Sequence, residues 1–129
     1  MSGREEIERV LDQAYAARAR QDLDGMLECF HPDARFHANG SDAPALDRPS
    51  QRAAIGGILE TFQLLDFQQQ CRVIDPPRAV VHWRGRFKAN NTGHTADADV
   101  LDLIEVRDGR IAALTTFFDT ALSQQLTVT

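Results

Sequence analysis

Asp102 occupies the most unusual chemical setting in the chain. If Thr95 to Val106 is an extended strand, Ala96, Ala98, Val100, Ile104 and Val106 share its face. A carboxylate in an otherwise apolar row is costly unless it is paired or neutral. Such a group is expected to hold its proton above the usual carboxylate range and to act as a donor or shuttle. A strand face partly open to solvent, or a structural bond to a helix, would also account for it. Trp83 and Phe87 face one way on a neighbouring strand, with Gly85 between them. A gap beside aromatic rings fits the floor of a pocket, and ordinary core packing fits as well.

Other chemistries find little support. His31, His37, His82 and His94 show neither H-x-H nor H-x-x-x-H spacing, so no metal is expected. No G-x-S-x-G, Walker or dinucleotide motif is present, and no cofactor is expected. Cys29 and Cys71 lack metal or redox spacing and read as reduced core residues.

The elements that must position these residues follow from the periodicity. Ile7, Val10, Leu11, Ala14 and Ala17 recur at helical spacing and predict a helix over 4–20. A short helix follows from Asp22 to Cys29 or Phe30, broken by His31-Pro32-Asp33. Residues 34–38 read as a short strand and 39–48 as a loop. Pro49-Ser50 opens a third helix, with Ile55, Ile58, Leu59 and Phe62 on one face. Gly56-Gly57 inside it costs about 1 kcal/mol per glycine, which suggests close packing there. From Asp66 the period changes to two. Phe67, Gln69, Cys71 and Val73 share one face, and strands follow at 81–87, 95–106 and 111–118. Asn90 to Gly93 and Arg107 to Gly109 read as hairpin turns. The polar tail from Asp119 is expected to fray. Early helices and a late meander predict an α+β fold in a single domain, 1–129.

The chain has 129 residues, 43% hydrophobic and 26% charged, as in an ordinary globular domain. With 14 basic and 19 acidic residues the net charge is −5, which argues against nucleic acid and against an anionic membrane surface. The charged start has no apolar signal-peptide core, so a cytoplasmic location is expected.

Several stretches resemble the nuclear transport factor 2-like superfamily, and within it the SnoaL-like branch. They are Gln21-Asp22-Leu23-Asp24-Gly25, Phe30-His31-Pro32-Asp33-Ala34, the glycine-bearing third helix, and Val106 to Ile111 followed by Phe117-Phe118-Asp119. The resemblance implies a cone in which a curved antiparallel sheet wraps around about three N-terminal helices and encloses an apolar pocket. It implies a small apolar organic molecule as the ligand. Members include ketosteroid isomerases, polyketide cyclases, epoxide hydrolases, dehydratases and binding proteins without catalysis, so the fold leaves the reaction open.

Residue by residue, the isomerase oxyanion-hole tyrosine falls on Ala14, with Tyr15 as its neighbour turned roughly 100° away. The isomerase base falls on Ala38, and its protonated aspartate on Asp102. The epoxide-hydrolase aspartate falls on Thr116. That enzyme's arginine and second aspartate have no counterpart; the nearest segment is Arg84-Gly85-Arg86. Neither mechanism carries over whole. Asp102 is the expected acid/base, aided by Tyr15 or His37 at the pocket mouth. Strand phase adds Phe36, Leu114, Thr116 and Phe118 to Trp83 and Phe87 on the ligand-facing wall. A non-catalytic ligand-binding or protein-interaction domain is the alternative. A second polar group facing Asp102 across the cavity would discriminate the two. Leu101, Leu103, Ala113 and Phe117 make the outer sheet face too apolar for water alone. The resemblance implies a homodimer through that face.

Overall fold

A computed structural model describes residues 3–39, 41 and 43–128. Helix α1 spans Arg4–Ala19 and α2 Leu23–Glu28; strand β1 (Phe30–Ala38) and helix α3 (Arg48–Thr61) follow. Then come β2 (Phe62–Asp75), β3 (Arg78–Ala89), β4 (Thr95–Arg107), β5 (Arg110–Phe117) and helix α4 (Thr120–Thr127). The five strands form one sheet in the order β1-β5-β4-β3-β2. The fold is α+β, as its element order predicts.

The local chemistry explains these elements. On α1, Ile7 and Leu11 are fully buried, and burying each contributes about 1.5–3 kcal/mol. Asp22 caps α2 by accepting from the Gly25 N–H at 3.0 Å. Asp47 and Ser50 form a capping box on α3, with Pro49 in its first turn. The two-residue turn between β4 and β5 is Asp108-Gly109, with φ of 55° and 72°, which suits a hairpin and needs a residue tolerant of positive φ.

The structure corrects the sequence reading in several places. The first strand begins at Phe30 rather than Ala34 and pairs parallel with β5, so the sheet is mixed. A register shift between Phe30 and Arg35 accommodates His31-Pro32-Asp33 without full pairing. The buried Gln51 of α3 donates to the Ala34 carbonyl beside that shift at 2.9 Å, which satisfies part of the freed backbone. Helix α3 ends at Thr61, so Phe62 starts β2 four residues before the expected strand. Cys29 is buried but Cys71 is exposed. A bulge between Gln69 and Cys71 reverses the strand phase, turning Ile74 inward and Val73 outward. Gly56 lies at ordinary contact distance from Leu23, and Gly57 faces open space, so the glycine pair marks no tight approach.

The largest correction concerns the tail. Residues 120–127 form α4, capped by Asp119, which accepts from the Leu122 N–H at 3.0 Å. Asn39 brackets Phe118, donating to its carbonyl at 2.8 Å and accepting its N–H at 3.0 Å. At the far end Asn91 donates to the Thr127 carbonyl at 2.8 Å and Thr92 to that of Leu126 at 2.5 Å. Polar composition hid a segment tied down at both ends.

Candidate functional site

Helices α1, α3 and α4 close one face of the sheet over a cavity of ≈ 150 Å³. Its wall includes Phe36 of β1, Trp83 and Phe87 of β3, Leu114 and Thr116 of β5, and Phe118 just beyond. Tyr15 and Asp102 line it too. The register explains the convergence, because Val81 pairs with Asp102 on β4, and Asp102 pairs with Thr116 on β5. Inward positions thus stand side by side across three strands.

Asp102 is 5% exposed. Its Oδ2 accepts the Tyr15 hydroxyl at 2.5 Å and the Trp83 indole N–H at 2.9 Å. Its Oδ1 is buried and has no hydrogen-bond partner among the described residues. Burial pushes the Asp102 carboxyl above its ordinary value. Tyr15, Thr116 and Trp83, with Arg18 acting through space, pull the other way and do not overcome it. Thr116 sits opposite on β5, close enough to favour the charge without making a well-formed hydrogen bond. Burial first, and then the neighbouring Asp102, push the Tyr15 phenol well above its own ordinary value. Tyr15 therefore remains a hydroxyl donor at neutral pH.

An aromatic chain supports this pair. Ring centroids lie 5.8 Å apart for Tyr15–Phe67, 5.0 Å for Phe67–Trp83 and 5.8 Å for Trp83–Phe87. Gly85 leaves the space that the Phe87 ring uses, since a Cβ there would stand 2.9 Å from that ring and from Leu64.

His37 is not brought to this group. It does not line the cavity, and its Nε2 lies 3.3 Å from the Ser41 carbonyl. Two charged residues that strand phase could not identify do line it. Arg18 of α1 places its guanidinium carbon 5.5 Å from the Trp83 ring centroid, and its Nη1 is buried without a partner among the described residues. Burial lowers its pKa, with Asp102 and Tyr15 opposing. Asp119 is exposed, lines the cavity beside α4 and is engaged as that helix's cap. Arg18 was legible as a charge on the apolar stripe of α1. Asp119 carried no periodic signal. Among the described residues no three His, Cys, Asp or Glu side chains gather in a manner suited to a metal. No described helix is long and apolar enough to cross a membrane.

On the opposite sheet face, Arg84 meets Asp99 at 3.1 Å and Arg86 meets Asp97 at 2.9 Å. His82 Nε2 lies 3.0 Å from Asp99. Leu101, Leu103 and Phe117 stand exposed beside these pairs.

The helix-covered, mixed five-stranded sheet is the nuclear transport factor 2-like fold. The chain belongs to the SnoaL-like domain family, which it matches over residues 11–114. No curated protein sequence matches it. Among solved structures it is similar to a provisionally named isomerase from Bacillus subtilis, with 17% identity and a TM-score of 0.86 over 98% of this chain and 95% of that one. It is similar to TerC, crystallised with polyporic acid, with 21% identity and a TM-score of 0.80 over 95% of this chain and 97% of that one. A provisionally named polyketide cyclase from Xanthomonas campestris pv. campestris shows 18% identity and a TM-score of 0.82 over 98% of this chain and 100% of that one. At these identities the likeness is one of fold.

Proposed function

We propose that this chain binds a small, largely apolar organic molecule and uses Asp102 as an acid/base in a proton-transfer reaction of the isomerase, cyclase or dehydratase type. The observation that carries this reading is the asymmetry of the Asp102 carboxyl. Oδ2 already accepts two donors, so the proton of the neutral acid resides on Oδ1. A substrate carbonyl beside Oδ1 receives that proton as a neighbouring C–H bond is lost, giving an enol. The carboxylate left behind is stabilised by Tyr15, Trp83 and the charge of Arg18, the groups that already favour ionisation. Water at the rim, or the Asp119 carboxylate there, takes the carbon-bound proton. The structural neighbour crystallised with polyporic acid supports a small organic ligand.

One observation favours the binding-only alternative. Among the described cavity residues Asp119 is the one acid besides Asp102, and it already serves as a helix cap. The test is deuterium exchange at the α-carbon of a ring-sized ketone, cyclohexanone, in D2O, followed by NMR. The wild-type chain should accelerate exchange, and Asp102→Asn should lose that acceleration. Equal exchange by both proteins would remove Asp102 from the chemistry. Binding without exchange by either would leave the non-catalytic reading.

The outer sheet face supports a homodimer. Its apolar residues Leu101, Leu103 and Phe117 are 43%, 45% and 44% exposed. Basic Arg84 and Arg86 on β3 stand beside acidic Asp97 and Asp99 on β4. A two-fold related copy would cover those apolar side chains with their own counterparts.

A further inference from the structure

The cavity wall carries one guanidinium nitrogen that no described group satisfies. Asp102 is the deep acid, and burial favours its neutral form. Arg18 stays charged, because a guanidinium does not deprotonate in proteins. Its stem follows the apolar stripe of α1, one turn beyond Tyr15, and its plane lies near the Trp83 ring. Its Nη1 is buried, yet no described acceptor reaches it. Covering one guanidinium nitrogen without an acceptor is costly, and the favourable π contact with Trp83 offsets only part of that cost. The remaining wall is almost wholly apolar, with Phe36, Phe87, Ile104 and Leu114 supplying it. A cavity of ≈ 150 Å³ holds a body of roughly one aromatic ring.

We infer that the cavity takes a ring-sized organic anion, a carboxylate or enolate, whose charged oxygen binds Arg18 Nη1 while its apolar body fills the space beside Phe87 and Leu114. The inference deepens the small-molecule reading above and rests on it. It does not depend on catalysis. Arg18 supplies the missing counter-charge, so anions are selected over neutral isosteres. Burial raises the Asp102 pKa, and in its protonated form the group does not repel the anion and can donate to a second oxygen of the same ligand. Among the described lining residues Arg18 is the one cation, and the outer-face arginines Arg84 and Arg86 are held by aspartates on the other side of the sheet.

The test uses two probes of nearly equal shape, phenylacetate and phenylacetamide. Each is titrated into the isotopically labelled chain, and the Trp83 indole N–H resonance is followed. It is unambiguous because the chain has 1 tryptophan. The wild type should bind the acid about tenfold or more tightly than the amide, as expected for a charge-assisted contact in an apolar site. Arg18→Met should weaken the acid to the level of the amide and leave the amide unchanged. Arg18→Lys should keep part of the preference, because it retains charge without the fork. Equal binding of both probes by the wild type would overturn the anion assignment and leave the small-molecule reading standing. No shift with either probe would overturn both. The wild-type comparison decides the matter even if the Arg18 variants fail to fold.

Discussion

Replacing Asp102 by asparagine should leave the protein as stable as the wild type, or make it more stable, at neutral pH. The groups around the carboxyl are Tyr15 and Arg18 from α1, Trp83 from β3 and Thr116 from β5. An asparagine oxygen at the Oδ2 position keeps both donors satisfied, and its NH2 takes the place of the protonated Oδ1. The substitution therefore mimics the neutral acid and removes the cost of ionising it. The folded-state pKa lies above the ordinary 3.8 because burial outweighs the four groups that favour the charge. A group raised in this way contributes stability that is whole below its unfolded value and is lost as pH rises through the folded value. Each unit of elevation corresponds to about 1.4 kcal/mol lost by neutral pH. For a domain of this size that is about 4–6 °C in Tm per unit. The assay is urea unfolding of both proteins at about pH 4.5 and about pH 7.5, read by Trp83 fluorescence. Asp22, Asp47, Asp97 and Asp99 lie below their usual value, so their contributions run the other way and fade as pH falls. Those contributions are common to both proteins and cancel in the difference. The advantage of Asp102→Asn should grow from the acidic to the neutral condition. A variant less stable than wild type, with the deficit larger at neutral pH, would mean a charged native carboxylate paired with Arg18. It would refute the neutral-acid argument.

Two further outcomes follow from the same geometry. Asp119→Ala removes the cap of α4 and should cost about 0.5–2 kcal/mol, with amide exchange rising across residues 120–127 and a wider cavity rim. Unchanged exchange there would show that Asn39, Asn91 and Thr92 alone hold the helix. Leu103→Lys should leave folding intact, because the side chain is 45% exposed, while shifting a dimer toward monomer in sedimentation. A wild-type monomer at micromolar concentration would remove the dimer proposal.

The fold was legible because its largest elements carry clean periods. Alternation along β3 puts Val81, Trp83, Gly85 and Phe87 on the buried side, and the structure keeps that phase through all 12 residues of the strand. Strand β2 was harder. Its two register shifts break the period, and nothing in Gln68-Gln69-Gln70-Cys71 announces an extra residue. The parallel partner of β1 was hidden for a different reason. Chain order gives no register between elements as far apart as Phe36 and Leu114. Helix α4 was missed because its stability is tertiary. An isolated helix of 8 residues is marginal in water, and this one is held by a cap and by side chains from two distant turns.

The candidate site shows the same division between local and long-range information. Asp102 was visible because an acid interrupts an apolar row, a signal contained in one strand. Trp83 and Phe87 were visible as a pair on the next. Tyr15 looked misplaced while the stripe of α1 was read through Ala14 and Ala17. In the structure the buried line runs through Ile7, Leu11 and Tyr15 and carries on to Arg18 beside the cavity. On that line Arg18 breaks an apolar row just as Asp102 does on β4. The anomaly was equally local, but long basic side chains commonly reach back to water, which makes arginine a weaker signal than aspartate in the same position. What distinguishes Arg18 is that its Nη1 is covered by the fold instead of reaching solvent. Only the packing of α1 against the sheet could reveal that. The two anomalies meet in one apolar cavity, where the covered Arg18 nitrogen lacks the acceptor that an anionic ligand would supply.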